Sequence, residues 1–296
     1  MSLPGRIVVH AARVRRRLRR GSATREEAHG SRFVETHAPG RSFADIGGMW
    51  GVDGEVALRA AAAGASSVTL FDAGEPTPAF LERAATQGAE IRCVQGDLED
   101  PVSVDQIGPH QIVWCSGVIY HTPNPVLQLM HLRRITTELL FLRSATMPEV
   151  PGFPQACVFH PYLDARDRAP LARGLPNPAR ATGLGTPFDP RPMYGHGNWW
   201  WGITPSALRA MLRTARFEVV EEVRGPQYPW ATGVIARPLE EAPSLPPVDY
   251  YRRRGERIAE GRLPPPFDGY YEKGDEAEAT ELDAFPSLEG APEADV

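Results

Sequence analysis

Phe43-Ala44-Asp45-Ile46-Gly47-Gly48-Met49-Trp50-Gly51-Val52-Asp53-Gly54 joins a short apolar run to a glycine-rich turn. The chain then continues into an Ala/Leu helix and a second strand-like run, Val68-Thr69-Leu70-Phe71-Asp72. Strand, glycine turn, helix and strand together form the unit that builds a nucleoside pocket at one end of a parallel sheet. Glycine has no Cβ, so it adopts positive φ and lets a ligand come close to the backbone where a strand turns into a helix. Gly47, Gly48 and Gly51 stand at such places, with Met49 and Trp50 between them.

The same unit can hold a dinucleotide, but that fingerprint requires three glycines spaced G-x-G-x-x-G. Counting from Gly47, Met49 takes the second glycine position and Val52 the third. A pyrophosphate on the helix N-terminus is therefore disfavoured. Asp45, at the end of the first strand, would repel phosphates and suits a cofactor that carries an ammonium group. The loop thus favours S-adenosylmethionine (SAM) over a nicotinamide dinucleotide.

Downstream residues fit the same pocket. Asp72 ends the second strand at the spacing from the glycine turn where a carboxylate can accept from both ribose hydroxyls. Ile91-Arg92-Cys93-Val94 reads as a third strand, with Asp97 and Leu98 just past its end and Asp97 placed to accept from an adenine amino group. Gln111-Ile112-Val113-Trp114-Cys115 reads as a fourth. Ligands of open α/β sheets sit outside the carboxyl ends of the strands, so Asp45, Asp72, Asp97, Cys115 and Ser116 are expected on one rim. A single acidic residue at a strand end is an ordinary cap or turn former; three in register point to a ligand site.

With these elements in place, the chain resembles the class I SAM-dependent methyltransferases. Ser116-Gly117-Val118-Ile119-Tyr120-His121-Thr122-Pro123-Asn124-Pro125, followed by a helix over 126–134 and the strand Leu139-Leu140-Phe141-Leu142, is similar to the "GVLYH…NP" segment of the group related to tRNA wobble-uridine carboxymethyltransferase. Asn198-Trp199-Trp200-Trp201-Gly202-Ile203-Thr204-Pro205-Ser206, with Leu208, Leu212 and Phe217, is similar to that group's closing segment. The resemblance implies a doubly wound, Rossmann-like α/β fold with a seven-stranded sheet and helices on both faces. It also implies SAM as cofactor and methyl transfer as the reaction. Members that act on tRNA carry a sizeable domain ahead of the cofactor fold, whereas 44 residues precede Asp45 here, so the expectation is the cofactor fold without that domain.

Composition agrees with a globular enzyme. The 296 residues are 42% hydrophobic, and no run approaches the roughly 20 apolar residues of a membrane span. The net charge of -5 gives no overall attraction to nucleic acid, and Lys273 is the only lysine. Cys93, Cys115 and Cys157 show no paired metal spacing and read as reduced residues of a cytoplasmic protein. Residues 1–40 are expected to form a basic helical extension, with Arg13, Arg15, Arg16, Arg17, Arg19 and Arg20 among apolar residues and no signal-peptide core. The catalytic domain is expected over 41–237, with a proline-rich, substrate-side insertion at 145–200. A proline-rich and then acidic extension follows over 238–296, whose end reads most simply as a solvated or disordered tail; for Tyr250-Tyr251-Arg252-Arg253-Arg254, packing on the domain and contacts between two copies stay open as alternatives.

Methyl transfer is an in-line displacement dominated by positioning, and an O–H acceptor needs a base. His121, just past the fourth strand, is the first candidate, with Tyr120 beside it and His160 and His196 contributed by the insertion. Tyr120, Tyr194, Trp199 and Trp200 are expected to contact the acceptor, and no metal site is expected at His160 or His196. The expected activity is methylation of an oxygen or nitrogen of a small or medium-sized metabolite, of the kind made in secondary metabolism. Two alternatives remain: an RNA-modifying (carboxy)methyltransferase docked by its basic arm, and a SAM-binding protein that transfers nothing.

Overall fold

The computed structural model describes residues 32–164, 166–167, 198–223 and 231–240. The expected terminal extensions fall almost wholly outside these, as do Tyr194 and His196. A helical stretch over 32–37 precedes nine strands and five further helices among the described elements: β1 (Ser42–Ile46), α1 (Glu55–Ala62), β2 (Ser67–Asp72), α2 (Pro78–Thr86), β3 (Ile91–Gln95), α3 (Pro101–Ile107), β4 (His110–Ser116), α4 (Pro125–Ile135), β5 (Thr136–Ala145), β6 (Cys157–Phe159), β7 (Trp201–Ile203), α5 (Pro205–Thr214), β8 (Phe217–Val223) and β9 (Ala231–Pro238). Seven strands form one sheet in the order β3-β2-β1-β4-β5-β9-β8. The first five run parallel, and β9 inserts antiparallel between β5 and β8. This is the doubly wound, Rossmann-like α/β sheet expected from the sequence. Strand order reverses between β1 and β4, so the ends of those two strands flank the crevice where such sheets bind ligands.

Period-2 alternation divides the core into two layers. Ala44, Ile46, Val113, Cys115, Leu140 and Leu142 join residues of α3, α4 and α5 on one face. Phe43, Leu70, Ile112, Trp114 and Phe141 join residues of α1, α2 and the helical stretch 32–37 on the other. Trp114 and Phe141 stack there with centroids 3.9 Å apart. Burying each of the large apolar side chains, such as Phe43 and Phe80, contributes about 2–3 kcal/mol.

Three helices start on a capping side chain followed by proline, whose absent N–H leaves nothing unsatisfied at the first helical position. Thr77 Oγ1 accepts from Phe80 N–H at 3.0 Å, Asp100 from Val102 and Ser103 N–H, and Thr204 from Ala207 N–H. α1 differs, because its N-cap is Gly54 at φ 73°, with no side chain to cap it. The substitute for that cap comes from β1 and shapes the site.

The segment after β5 is tied to the tryptophan segment. β6 pairs antiparallel with β7, while Met147 N–H donates to Ile203 O and His160 N–H to Trp200 O. The tryptophan segment is thereby sewn to the start of the insertion. None of the helices among the described residues is long and apolar enough to cross a membrane.

Candidate active site

The glycine loop is built around a buried carboxylate. Asp45 is 1% exposed, and its Oδ2 accepts from the N–H of Ala57, in the first turn of α1, at 3.1 Å. The carboxylate runs under Gly48, where a Cβ would stand 2.4 Å from Oδ2. Only glycine permits this crossing. Burial raises the Asp45 pKa to about 7, partly opposed by the Ala57 hydrogen bond and reinforced by Asp72. Gly47, at φ 75°, donates its N–H to Phe71 O at 2.7 Å. A Cβ on Gly47 would meet Val118 Cγ2 at 2.4 Å, so the loops after β1 and β4 touch across the switch point.

Asp72 ties the loop to the end of β2. Its Oδ2 accepts from Met49 N–H at 2.8 Å and its Oδ1 from Gly74 N–H at 2.8 Å. The Met49 side chain is buried in the core against the α1/α2 layer, whereas Trp50 is 68% exposed. A carboxylate oxygen has two lone pairs, so each Asp72 oxygen can accept a further hydrogen bond. Beyond the loop, Asp53 accepts from Thr77 Oγ1 and pairs with Arg83 at 2.6 Å, which fixes the entry to α1.

The other rim residues take distinct positions. Asp97 is exposed and accepts from Glu99 N–H at 2.8 Å, while Leu98 and Cys115 are core residues on the α3/α4/α5 face. Burial, with Asp45 nearby, pushes the Cys115 thiol up, so Cys115 presents only its backbone to the rim. Ser116 ends β4, half-buried.

Past β4 the chain forms a single 3-10 turn, Ile119–His121. His121 does not cap α4, whose N-cap is Asn124. Instead, His121 Nδ1 lies 2.8 Å from Asn198 O, and since a carbonyl only accepts, Nδ1 is the protonated nitrogen of this contact. Trp200 N–H donates to Tyr120 O at 2.9 Å and Trp201 Nε1–H to Pro123 O at 3.0 Å. The Tyr120 ring sits 4.2 Å from His121 and 4.6 Å from Trp199, centroid to centroid. Burial pushes the Tyr120 hydroxyl up to about 12, with Arg143 opposing, so it stays protonated. His160 is buried and nearly parallel to Trp199, with centroids 6.4 Å apart.

Sequence reasoning missed the clamp on this turn. Glu99 accepts from Thr122 Oγ1 and from Asn124 Nδ2, the latter at 2.8 Å, locking the loop after β3 to the turn after β4. A Thr-x-Asn pair ahead of a helix is a visible signal of a local cap; its distant carboxylate partner is not. No group of three or more His, Cys, Asp or Glu placed to hold a metal occurs among the described residues.

No protein-family model matches this sequence, and no curated protein matches it. Solved structures do show similarity. The 1,6-didemethyltoxoflavin-N1-methyltransferase of Burkholderia thailandensis, with bound 1,6-didemethyltoxoflavin and S-adenosylhomocysteine, is 14% identical, with 81% of this chain and 92% of that one covered at a TM-score of 0.47. The magnesium protoporphyrin IX methyltransferase of Synechocystis PCC 6803, with S-adenosylhomocysteine bound, is 15% identical over 74% and 83% at 0.46. The [4+2]-cyclase SpnF is 12% identical over 71% and 79% at 0.47. At this level of likeness no functional conclusion rests on these neighbours, and their own activities differ.

Proposed function

We propose that this chain is a SAM-dependent methyltransferase that methylates an oxygen or nitrogen of a small or medium-sized metabolite. The observation that carries the reading is the bond from Ala57 N–H to Asp45. In dinucleotide sites the first turn of this helix offers its N–H groups to a pyrophosphate; here the protein's own buried carboxylate takes that place. With Asp72 beside it, the loop is acidic, which repels phosphate and favours a cationic nucleoside cofactor.

The residues present fit SAM. In this reading Asp72 binds the ribose, the backbone of Gly47 to Gly51 lies against the cofactor, Asp97 and Leu98 bind the adenine, and Ser116 and Gly117 the amino-acid end. Bound there, SAM supplies an electrophilic methyl group. His121, held at the rim by Asn198 O, is the base for the proton of an acceptor O–H or N–H. Tyr120, a neutral donor, orients the acceptor, and Trp199 covers it from water. The relation to the tRNA wobble-uridine carboxymethyltransferase group is supported by one further observation: the segments that carry that resemblance, 116–125 and 198–206, touch through His121–Asn198 and Tyr120–Trp200.

Isothermal titration calorimetry against SAM, S-adenosylhomocysteine and NAD tests the reading. Binding of the two sulfur ligands and not NAD is expected. NAD binding without SAM binding would overturn it, and SAM binding without turnover across a screened acceptor set would leave a non-catalytic SAM-binding protein.

A further inference from the structure

Glu99 joins two loops that the sheet keeps apart. β3 and β4 are separated by β2 and β1, so three interstrand spacings, roughly 14 Å, lie between them. Residues 96–99 and the Glu99 carboxylate together span that gap, with one oxygen accepting from Thr122 Oγ1 and the other from Asn124 Nδ2, the latter at 2.8 Å. Asn124 is the N-cap of α4, yet its side chain makes no cap hydrogen bond. An asparagine at this position ordinarily bonds its own helix; this one turns to Glu99 instead.

Each end of the bridge is itself fixed. Glu99 N–H donates to Asp97 Oδ1 at 2.8 Å and Asp100 N–H to Asp97 O at 3.0 Å, while the Asp100 side chain caps α3. Thr122 is buried, and its Oγ1 also accepts from Asn124 N–H at 3.1 Å. The residue before it is His121, held by Asn198 O. Asp97, Glu99, Thr122 and His121 are thus linked in one wall on the α3/α4 side of the crevice. Packing of that wall does not depend on Glu99, because Leu98 lies in the core and its carbonyl accepts from His131 Nδ1 of α4 at 2.6 Å. A carboxylate is also favoured where Glu99 stands, at the N-terminus of α4.

We propose that Glu99 is a positioning residue for methyl transfer: its bridge from the loop after β3 to the turn after β4 sets the distance between Asp97, at the adenine end, and the base His121. That Asp97 and His121 serve those ends rests on the methyltransferase reading; that Glu99 holds the two segments in one register does not. SAM spans the same interval, from its adenine to its sulfonium, and an interval fixed before binding lowers the ordering cost of association. Without the bridge each segment keeps its own hydrogen bonds, but their separation is no longer set. Loss of Glu99 therefore weakens the cofactor and misplaces the base together, at little cost in stability.

The test compares the whole wild-type protein with Glu99→Ala, Glu99→Gln, Thr122→Val and the Glu99→Ala/Thr122→Val double variant. Calorimetry is expected to show S-adenosylhomocysteine affinity about tenfold lower in Glu99→Ala and in Thr122→Val, with the double variant no weaker than either, as for two ends of one contact. Glu99→Gln still accepts from Thr122 Oγ1 and pairs with Asn124 once that amide turns over, so it is expected to bind nearly as wild type. Thermal midpoints should stay within roughly 4 °C of wild type. In ligand-free protein carrying ¹⁵N-histidine, the ring-nitrogen resonances of His121, assigned by their loss in His121→Gln, are expected to move in Glu99→Ala and to return in Glu99→Gln. Unmoved His121 resonances, undiminished affinity in Glu99→Ala, or losses that add in the double variant would overturn the proposal. A midpoint lowered well beyond 4 °C in Glu99→Ala would assign Glu99 a structural role and overturn it also. Should the wild type bind no S-adenosylhomocysteine, the methyltransferase reading falls, and the His121 resonances still decide whether Glu99 registers the turn.

Discussion

Replacing Asp45 by Asn removes the titrating proton at the centre of the glycine loop while leaving an oxygen to accept from Ala57 N–H. Burial raises this carboxyl from an ordinary 3.8 to about 7. At about 1.36 kcal/mol per pH unit, that places roughly 4 kcal/mol between the protonated and ionised folded states. Because the folded-state pKa is the raised one, the folded protein holds a proton between about pH 4 and pH 7 that the unfolded chain has already released. Stability therefore falls as pH rises through that window and levels off above it. His37, His110 and His160 work in the opposite sense. Their folded pKa values are lowered, chiefly by burial, so they withdraw stability as pH falls below about 6.5. Both proteins contain these histidines, so the difference between variant and wild type isolates Asp45. Urea unfolding followed by circular dichroism from about pH 5 to pH 8.5 should show Asp45→Asn gaining about 2–4 kcal/mol relative to wild type as pH rises. A difference that does not change with pH would refute the account of Asp45 as a carboxylate whose ionisation is resisted by burial.

Gly54→Ala puts a methyl group 2.1 Å from the ring of Phe80, at φ 73°, and Phe80 is fully buried. Strain and overpacking should destabilise the protein by about 2–4 kcal/mol; a melting midpoint unchanged from wild type would show that the loop can shift without loss. Asp72→Ala should weaken SAM by about 1–3 kcal/mol in calorimetry through lost ribose bonds and a loosened Met49, and unchanged affinity would remove Asp72 from the site. His121→Gln should slow turnover on the order of a hundredfold with an acceptor found by screening, with S-adenosylhomocysteine affinity kept. Wild-type turnover in that variant would end its role as base.

The glycine turn, the apolar strand runs and the position of Asp72 were all readable along the chain, because each depends on local residue type and on a short spacing. Extents were less readable. β5 runs Thr136–Ala145 rather than only Leu139–Leu142, since its pairing with β4 and β9 recruits polar residues at both ends. The three-residue strands β6 and β7 are too short to show any period, and they pair across a long stretch of chain.

Local sequence placed an acid at Asp45, but only packing decided what that acid does. Its parity in β1 turns it toward α1, and the lack of a Cβ on Gly48 lets it reach the N–H of Ala57. Cys115, in register with Ile46 rather than Asp45, turns to the opposite face, which sends its thiol into the α3/α4/α5 core and leaves only its backbone at the rim. Tyr120 and His121 were visible as a motif, whereas the partner of His121 Nδ1, Asn198, lies 77 residues away. That both ring nitrogens of His160 are buried with no hydrogen-bond partner among the described residues had no signal in the chain, because an unmet hydrogen bond is a property of everything around a residue. Residue type and spacing therefore determined an acidic, glycine-lined loop between the first strand and first helix of an α/β sheet. Tertiary structure decided that Asp45 braces the first turn of α1 and that Asp72 ties the loop to the end of β2, because both depend on which backbone N–H groups the fold brings to each carboxylate.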